Sequence, residues 1–227
     1  MGEFYVGRFD MDGKELRERE TNRIGNILVP NQRYLSFSDH VMPILDKCKE
    51  IQDKGFHWTP SRLIWKLGKE LGNEESVLYW AQRNGIPVFC PAITDGALGD
   101  CLCEHTYNNP GLIIDSVGDI RSLNQLATSS PRNGVVILGG GSPKHHVMNA
   151  CLFSESGADY AVYLNCGLEA EGSDSGAPPS EAVSWGKIAP HARPVKVFTE
   201  MSLVFPLLVH CAFKQVYLEN KEYYDNK

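Results

Sequence analysis

The chain has 227 residues, 42% hydrophobic and 22% charged, with a formal net charge of −6. These proportions are ordinary for a globular protein with one sizeable core. The acidic balance argues against nonspecific nucleic-acid binding, which needs a basic face, and suits a polycationic ligand. Seven cysteines, an odd number with several inside apolar runs, read as reduced thiols of a cytoplasmic protein. Cys101 and Cys103 stand one residue apart, which is not a zinc spacing, and no metal is expected. The first six residues have neither the basic flank nor the apolar core of a signal peptide. No apolar run approaches membrane-spanning length, so no membrane partner is expected.

In chain order, residues 2–33 are polar and include the charge-dense run Lys14 to Arg23, which predicts a solvated helix or a surface arm. Ser36, Ser38 and Asp39 offer caps for a helix whose apolar face is Val41, Ile44, Leu45, Cys48 and Ile51. Thr59-Pro60 starts a second helix, with Leu63, Ile64, Leu67 and Leu71 on one face and Gly72 closing it. Ser76 to Asn84 reads as a third, ended by Gly85. Short apolar runs of strand length follow at Ile86–Ile93, Leu112–Ile114, Val135–Leu138, Tyr160–Leu164 and Val195–Phe198. Helical stretches fall at Val117–Ala127, Lys144–Leu152, Ser180–Trp185 and Ser202 to about Tyr217, and the tail from Asn220 is expected to fray. Alternating strands and helices predict an α/β fold, a doubly wound, mainly parallel, Rossmann-like sheet in a single domain over 1–227.

In such sheets ligands sit at the carboxyl ends of the strands. Thr94–Asp100, Gly139–His145, Asn165–Ser175 and Glu200 all follow expected strands, so the chemically suggestive residues converge on one rim. Gly139-Gly140-Gly141 allows close backbone approach to a ligand but lacks the Walker and dinucleotide spacings. His145 opens a helix, where the positive helix end keeps an imidazole neutral and available as a base. His146 beside it points elsewhere and is read as structural. Asp95 and Asp100 flank a Gly-Ala-Leu-Gly turn whose plain reading is an Asx-type turn. In Glu171 to Ile188 a polar glycine-rich loop leads to a short helix that Ser180 can cap, with Glu181 and Trp185 on one face and Lys187 just beyond. Acids, an indole and a lysine in one unit suit an organic cation beside a nucleophilic amine.

The strings Thr-Asp-Gly-Ala-Leu-Gly-Asp, Gly-Gly-Gly-Ser-Pro-Lys-His-His, Ser-Asp-Ser-Gly and Glu-Ala-Val-Ser-Trp-Gly-Lys occur in that order. Together they closely resemble the deoxyhypusine synthase family, from Gly2 to about Leu208. The resemblance is to the family's C-terminal portion, so the sheet is expected to be incomplete at its N-terminal side. It implies an NAD-dependent aminobutyl transferase. Spermidine is oxidised at its secondary amine, Lys187 takes the four-carbon fragment as an imine, and the fragment passes to a lysine of the translation initiation factor 5A precursor. His145 is implied as the base. Asp100, Gly140, Asp174, Glu181 and Trp185 are implied to bind substrate. Asp95, Cys166, Gly167, Glu171, Gly172, Ser173, Ser175, Glu200 and Met201 are implied to line the NAD site. Family members are tetramers, so a homo- or hetero-oligomer is expected. The chain departs from the family pattern at Cys166–Glu171 and Glu200–Met201, among the expected cofactor contacts. Two other readings share these residues: a noncatalytic or partner-dependent paralogue or fragment that activates a second synthase chain, and homospermidine synthase, with putrescine as acceptor.

Overall fold

A computed structural model describes residues 5–225. The signal-peptide reading of the first six residues therefore falls mostly on residues outside those described. The chain divides into two compact units. One takes residues up to Val88 with Ala92–Asp115, and the other takes Phe89–Pro91 with residues from Ser116 onward.

The first unit opens with β1 (Tyr5–Val6), α1 (Gly13–Glu18), β2 (Thr21–Ile24) and β3 (Ile27–Pro30). The three strands form an antiparallel sheet in the order β1-β3-β2, with Tyr5 opposite Leu28 and Asn22 opposite Val29. This corrects the expectation of a mainly parallel, doubly wound sheet that is incomplete in front. The reason is local. Asp12 caps the start of α1 by accepting from the Lys14 and Glu15 amides at 2.8 and 3.0 Å, and Glu20, at φ +51°, turns the chain out of the helix just after Arg19. Gly25, at φ +61°, then takes the first central position of a two-residue hairpin turn, where glycine is favoured. Strands of two to four residues are too short to show apolar alternation.

Three helices follow: α2 (Asn31–Gln52), α3 (Pro60–Leu71) and α4 (Val77–Arg83). Helix α2 begins earlier than the serine signals suggest, and it buries Val41, Ile44, Leu45 and Cys48. Thr59 caps α3 by accepting from the Arg62 amide, and Gly72 ends it in the left-handed conformation. Gly68 lets α3 and α4 approach, since a Cβ there would lie 2.5 Å from the Leu78 carbonyl oxygen. Helix α5 (Ala97–Asn108) completes the unit. The run Ile86–Ile93 forms no strand: Pro87 and Pro91 each remove a ladder donor. Leu112–Ile114 contributes only a single bridge, Ile114 to Trp58.

The second unit contains α6 (Ser116–Ser129), β4 (Gly134–Leu138), α7 (Ser142–Leu152), β5 (Tyr160–Asn165), α8 (Pro179–Ser184) and β6 (Val195–Phe198). Its three strands are all parallel, in the order β4-β5-β6. Val135, Ile137, Met148, Cys151, Ala158, Ala161, Tyr163 and Ile188 make its core. Val136, Leu138, Val195 and Val197 are exposed, so the other face of this sheet keeps apolar surface.

The chain ends in α9 (Met201–Leu208), a π-helical turn (Val209–Phe213), α10 (Lys214–Glu219) and α11 (Lys221–Asp225). Met201–Glu219 is 19 residues long with a mean hydropathy of 1.4 and none of it buried, long and apolar enough by length and composition to cross a membrane. The expectation that no apolar run approaches this length is corrected. Pro206, His210 and Lys214 break up the apolar sequence, but the helix runs through all three.

Candidate active site

Three strand ends in the second unit are tied together. The Gly139 amide donates to the Leu164 carbonyl at 2.9 Å, and the Thr199 amide to the Asn165 carbonyl at 3.0 Å. The segments leaving β4, β5 and β6 are thus held side by side at the carboxyl edge, where parallel sheets take ligands. The loop after β5 contains a short helical turn, Glu169–Glu171, and then runs to α8. It packs on the glycine turn after β4: a Cβ on Gly140 would lie 2.4 Å from Ser175 Oγ and 2.5 Å from Ser175 Cα. Its own two ends meet as closely, for a Cβ on Gly176 would lie 2.1 Å from the Leu168 carbonyl oxygen.

Lys187 follows α8 with its backbone fixed on both sides. Its amide donates to the Ala182 carbonyl at 2.9 Å, and its carbonyl accepts from the Ala158 amide at 3.0 Å. The side chain is half-buried, with Nζ 5.7 Å from the Trp185 ring centroid, within cation–π range. Trp185 is 64% exposed, so its indole has room for a ligand. Pro178, not Ser180, occupies the capping position of α8. Cys166, Glu171, Gly172, Ser173, Asp174 and Glu181 are exposed, while Gly167 and Ser175 are half-buried.

Beneath that surface lies a lysine the sequence did not single out. Lys144 on α7 is buried, donates from Nζ to the Asp174 carbonyl and, at 3.2 Å, to the Ala177 carbonyl, and stands 4.9 Å from the Tyr163 ring centroid. Burial pushes its ammonium below the usual lysine range; Asp174 and Glu181 oppose the shift, and Lys196 and Lys187 add to it. Asp174, Glu181, Lys187 and Lys196 thus all lie close enough to act on the Lys144 charge. Lys196, on β6, donates to the Gly176 and Gly167 carbonyls at 2.6 and 3.2 Å. A lone lysine between two valines of an apolar strand was the available signal for Lys196. Lys144 carried none, because its partners are backbone atoms about thirty residues away.

His145 is exposed on the first turn of α7, its amide bonded to the Gly141 carbonyl and its Nδ1 3.3 Å from Asn149 Nδ2. Glu200 caps α9, accepting from the Leu203 amide at 3.1 Å and Ser202 Oγ at 3.0 Å. The bonds from Ser202 hold its carboxyl below the usual range. Met201 opens that helix. Asp95 and Asp100 belong to the first unit and are exposed; Asp100 lies in the first turn of α5, behind Gly96 at φ +110°.

Tyr163 is fully buried with no hydrogen-bond partner for its hydroxyl, and burial raises its pKa to about 12. Unfolded, it ionises near 10. Its contribution to stability is therefore whole below pH 10 and is lost as the pH climbs to about 12, by up to roughly 3 kcal/mol. Tyr163→Phe should leave stability within about 1 kcal/mol at neutral pH, since the hydroxyl makes no bond there. Denaturant melts from pH 9 to 12 should show the wild type losing stability relative to the variant; parallel profiles would contradict this account of Tyr163.

Fold and cluster together define an α/β chain with a lysine-rich, acid-rimmed site at the carboxyl ends of a short parallel sheet. The deoxyhypusine synthase family model matches residues 1–212. The chain is 55% identical over 207 residues to the deoxyhypusine synthase of Caenorhabditis elegans, covering 90% of this chain and 56% of that one. It is 51% identical over 225 residues to that of Debaryomyces hansenii, covering 92% and 59%. Among solved structures, a candidate deoxyhypusine synthase from Entamoeba histolytica superposes with a TM-score of 0.63 at 36% identity, covering 82% of this chain and 57% of that one. The chain belongs to the deoxyhypusine synthase family. The family match takes in nearly the whole chain, the front included, which corrects its assignment to the C-terminal portion of the family pattern. The chain spans 56% and 59% of the length of the two relatives named.

Proposed function

We propose that this chain acts as an NAD-dependent deoxyhypusine synthase, moving the aminobutyl group of spermidine to a lysine of the translation initiation factor 5A precursor. The observation that carries the reading is Lys187, half-buried with its ammonium over the Trp185 face, directly after the helix that carries Glu181. Asp174 and Glu181 anchor ammonium ends of the polyamine and Trp185 covers its cationic chain, fixing which carbon faces Lys187. The Lys187 amine adds to the oxidised carbon, 1,3-diaminopropane leaves, and a four-carbon imine stays on Lys187 until the acceptor lysine displaces it. His145 takes the proton released from the substrate amine. Asp100, on α5, is assigned to a substrate amine and Asp95 to the cofactor ribose.

NAD, when bound, supplies the hydride acceptor and returns the hydride at the end. The residues present fit it. Asn165, at the carboxyl end of the middle strand, is buried with its Nδ2 lacking a hydrogen-bond partner. A Cβ on Gly139 or Gly141 would meet nothing within 4 Å, leaving the turn open to a ligand. Gly140, Cys166, Gly167, Glu171, Gly172, Ser173, Ser175, Glu200 and Met201 surround these positions along the chain and are assigned to the substrate floor and cofactor lining.

Both units are taken to serve as one synthase-like domain. An oligomer is supported by the apolar surface on the second unit's sheet and on Met201–Glu219, which a second chain would cover. The seven free cysteines suit the reducing cytoplasm. The test is to incubate the chain with NAD, labelled spermidine, the precursor protein and putrescine, alone and mixed with a full-length family member. Release of 1,3-diaminopropane, and label on the precursor protein rather than on putrescine, is expected. Activation of the full-length partner by a Lys187→Ala chain as well as by wild type would favour the noncatalytic reading. No release by the chain alone, and no increase over what the full-length member releases by itself, would end the proposal.

A further inference from the structure

The loop that carries Glu171 through Ser175 is held from below by two ammonium groups on different elements. Lys196 on β6 joins the Gly167 and Gly176 carbonyls, closing the base of the loop. Lys144 on α7 joins the Asp174 and Ala177 carbonyls nearer the tip. Within the loop, the Gly176 amide donates to Ser173 Oγ at 3.2 Å and the Ala177 amide to the Ser173 carbonyl at 3.1 Å. Four carbonyls thus converge on two cations, one of them buried in the unit's interior. Glycine at 167 and 176 is required for that convergence, since a Cβ on Gly167 would lie 2.9 Å from the Gly176 amide. A buried ammonium with carbonyl partners on one segment and an aromatic face behind it is costly to place, and it fixes that segment firmly.

We propose that Lys144 and Lys196 are positioning residues that clamp the 167–177 loop and thereby fix where Asp174 presents its carboxylate to the polyamine. The proposal rests on the synthase reading above for its ligand, but the clamp itself does not depend on turnover. Lys144 also joins the loop to the first turn of α7, so it sets the Asp174 backbone against the helix that carries His145. Neither lysine needs to touch substrate for this role.

The test uses Lys144→Met, which keeps an unbranched stem one atom shorter and removes the ammonium, with Lys144→Arg as the charge-keeping variant. Two readouts are taken on the full chain: cutting at Glu169 and Glu171 by a glutamate-specific protease, and spermidine binding by calorimetry. Lys144→Met should be cut several-fold faster and bind spermidine on the order of tenfold more weakly, as loss of a charge-assisted bond implies. Lys144→Arg should recover part of both. In the turnover assay the loss should fall on the spermidine KM more than on kcat. Lys196→Met, at a half-buried position, should move both readouts in the same direction and decides the matter if Lys144→Met fails to fold. Wild-type cutting rates in both Met variants, or faster cutting with unchanged spermidine affinity, would overturn the proposal. Absence of spermidine binding by the wild type would instead count against the synthase reading, with the protease result still reporting on the clamp.

Discussion

Lys187→Ala is expected to remove the borohydride-trapped imine and to lower spermidine cleavage roughly a thousandfold or more, since the proposed intermediate is an imine on that amine. Its effect on folding should be small. The backbone at this position bonds to Ala182 and Ala158 and does not need the side chain, while the buried neighbours Ile188 and Ala189 are untouched. What the substitution removes is the amine beside the Trp185 face. Arginine cannot replace it, because a guanidinium stays protonated at any working pH and is no nucleophile. Trapping at the wild-type level in Lys187→Ala, with an unchanged melting temperature, would move the chemistry to another residue.

The second large effect is expected from Gly140→Ala. The added Cβ would lie 2.4 Å from Ser175 Oγ and 2.5 Å from Ser175 Cα, so the loop's backbone must shift, not only a side chain. That loop is bonded to Lys144 and Lys196 and cannot move freely. Overpacking of this kind costs about 1–3 kcal/mol. An ångström of displacement at a positioned carboxylate costs about a hundredfold in rate. Gly139→Ala and Gly141→Ala meet no atoms within 4 Å and should carry only backbone strain at φ +77° and +73°, of order 1–3 kcal/mol. Ser175→Gly in the Gly140→Ala background should restore activity only in part, because the contact with Cα remains. Kinetics and melts on the four proteins check this, and a fully active Gly140→Ala would refute the close packing.

What was legible in the sequence follows from how local each signal is. Thr59-Pro60 and Gly72 bracket α3 because cap and stop are side-chain and φ effects of single residues. The strands β4, β5 and β6 were legible as apolar runs since they build one sheet, and the rim residues after them followed from their parallel order. The front antiparallel sheet was not legible. Its strands are two to four residues long and lie around a charged run that hides their pairing. Helix α5 was missed because Gly96 and Gly99 read as a turn, whereas Gly96 occupies the capping position and Gly99 passes within contact of the Thr94 backbone. At the site, the exposed acids, Trp185 and Lys187 stood in a contiguous string. The layer of buried Tyr163 and Lys144 and half-buried Lys196 depends on contacts between segments about twenty to thirty residues apart, and no local pattern encodes these.

Lys187 and Lys196 both act on the charge of Lys144, whose ammonium burial destabilises. The most direct measurement is therefore to reduce the wild-type chain with borohydride in the presence of NAD and labelled spermidine, digest it, and locate the added four-carbon amine by mass spectrometry. The account predicts that mass on Lys187 alone. Its appearance on Lys144 or Lys196, or no adduct when a full-length family member is also present, would contradict it.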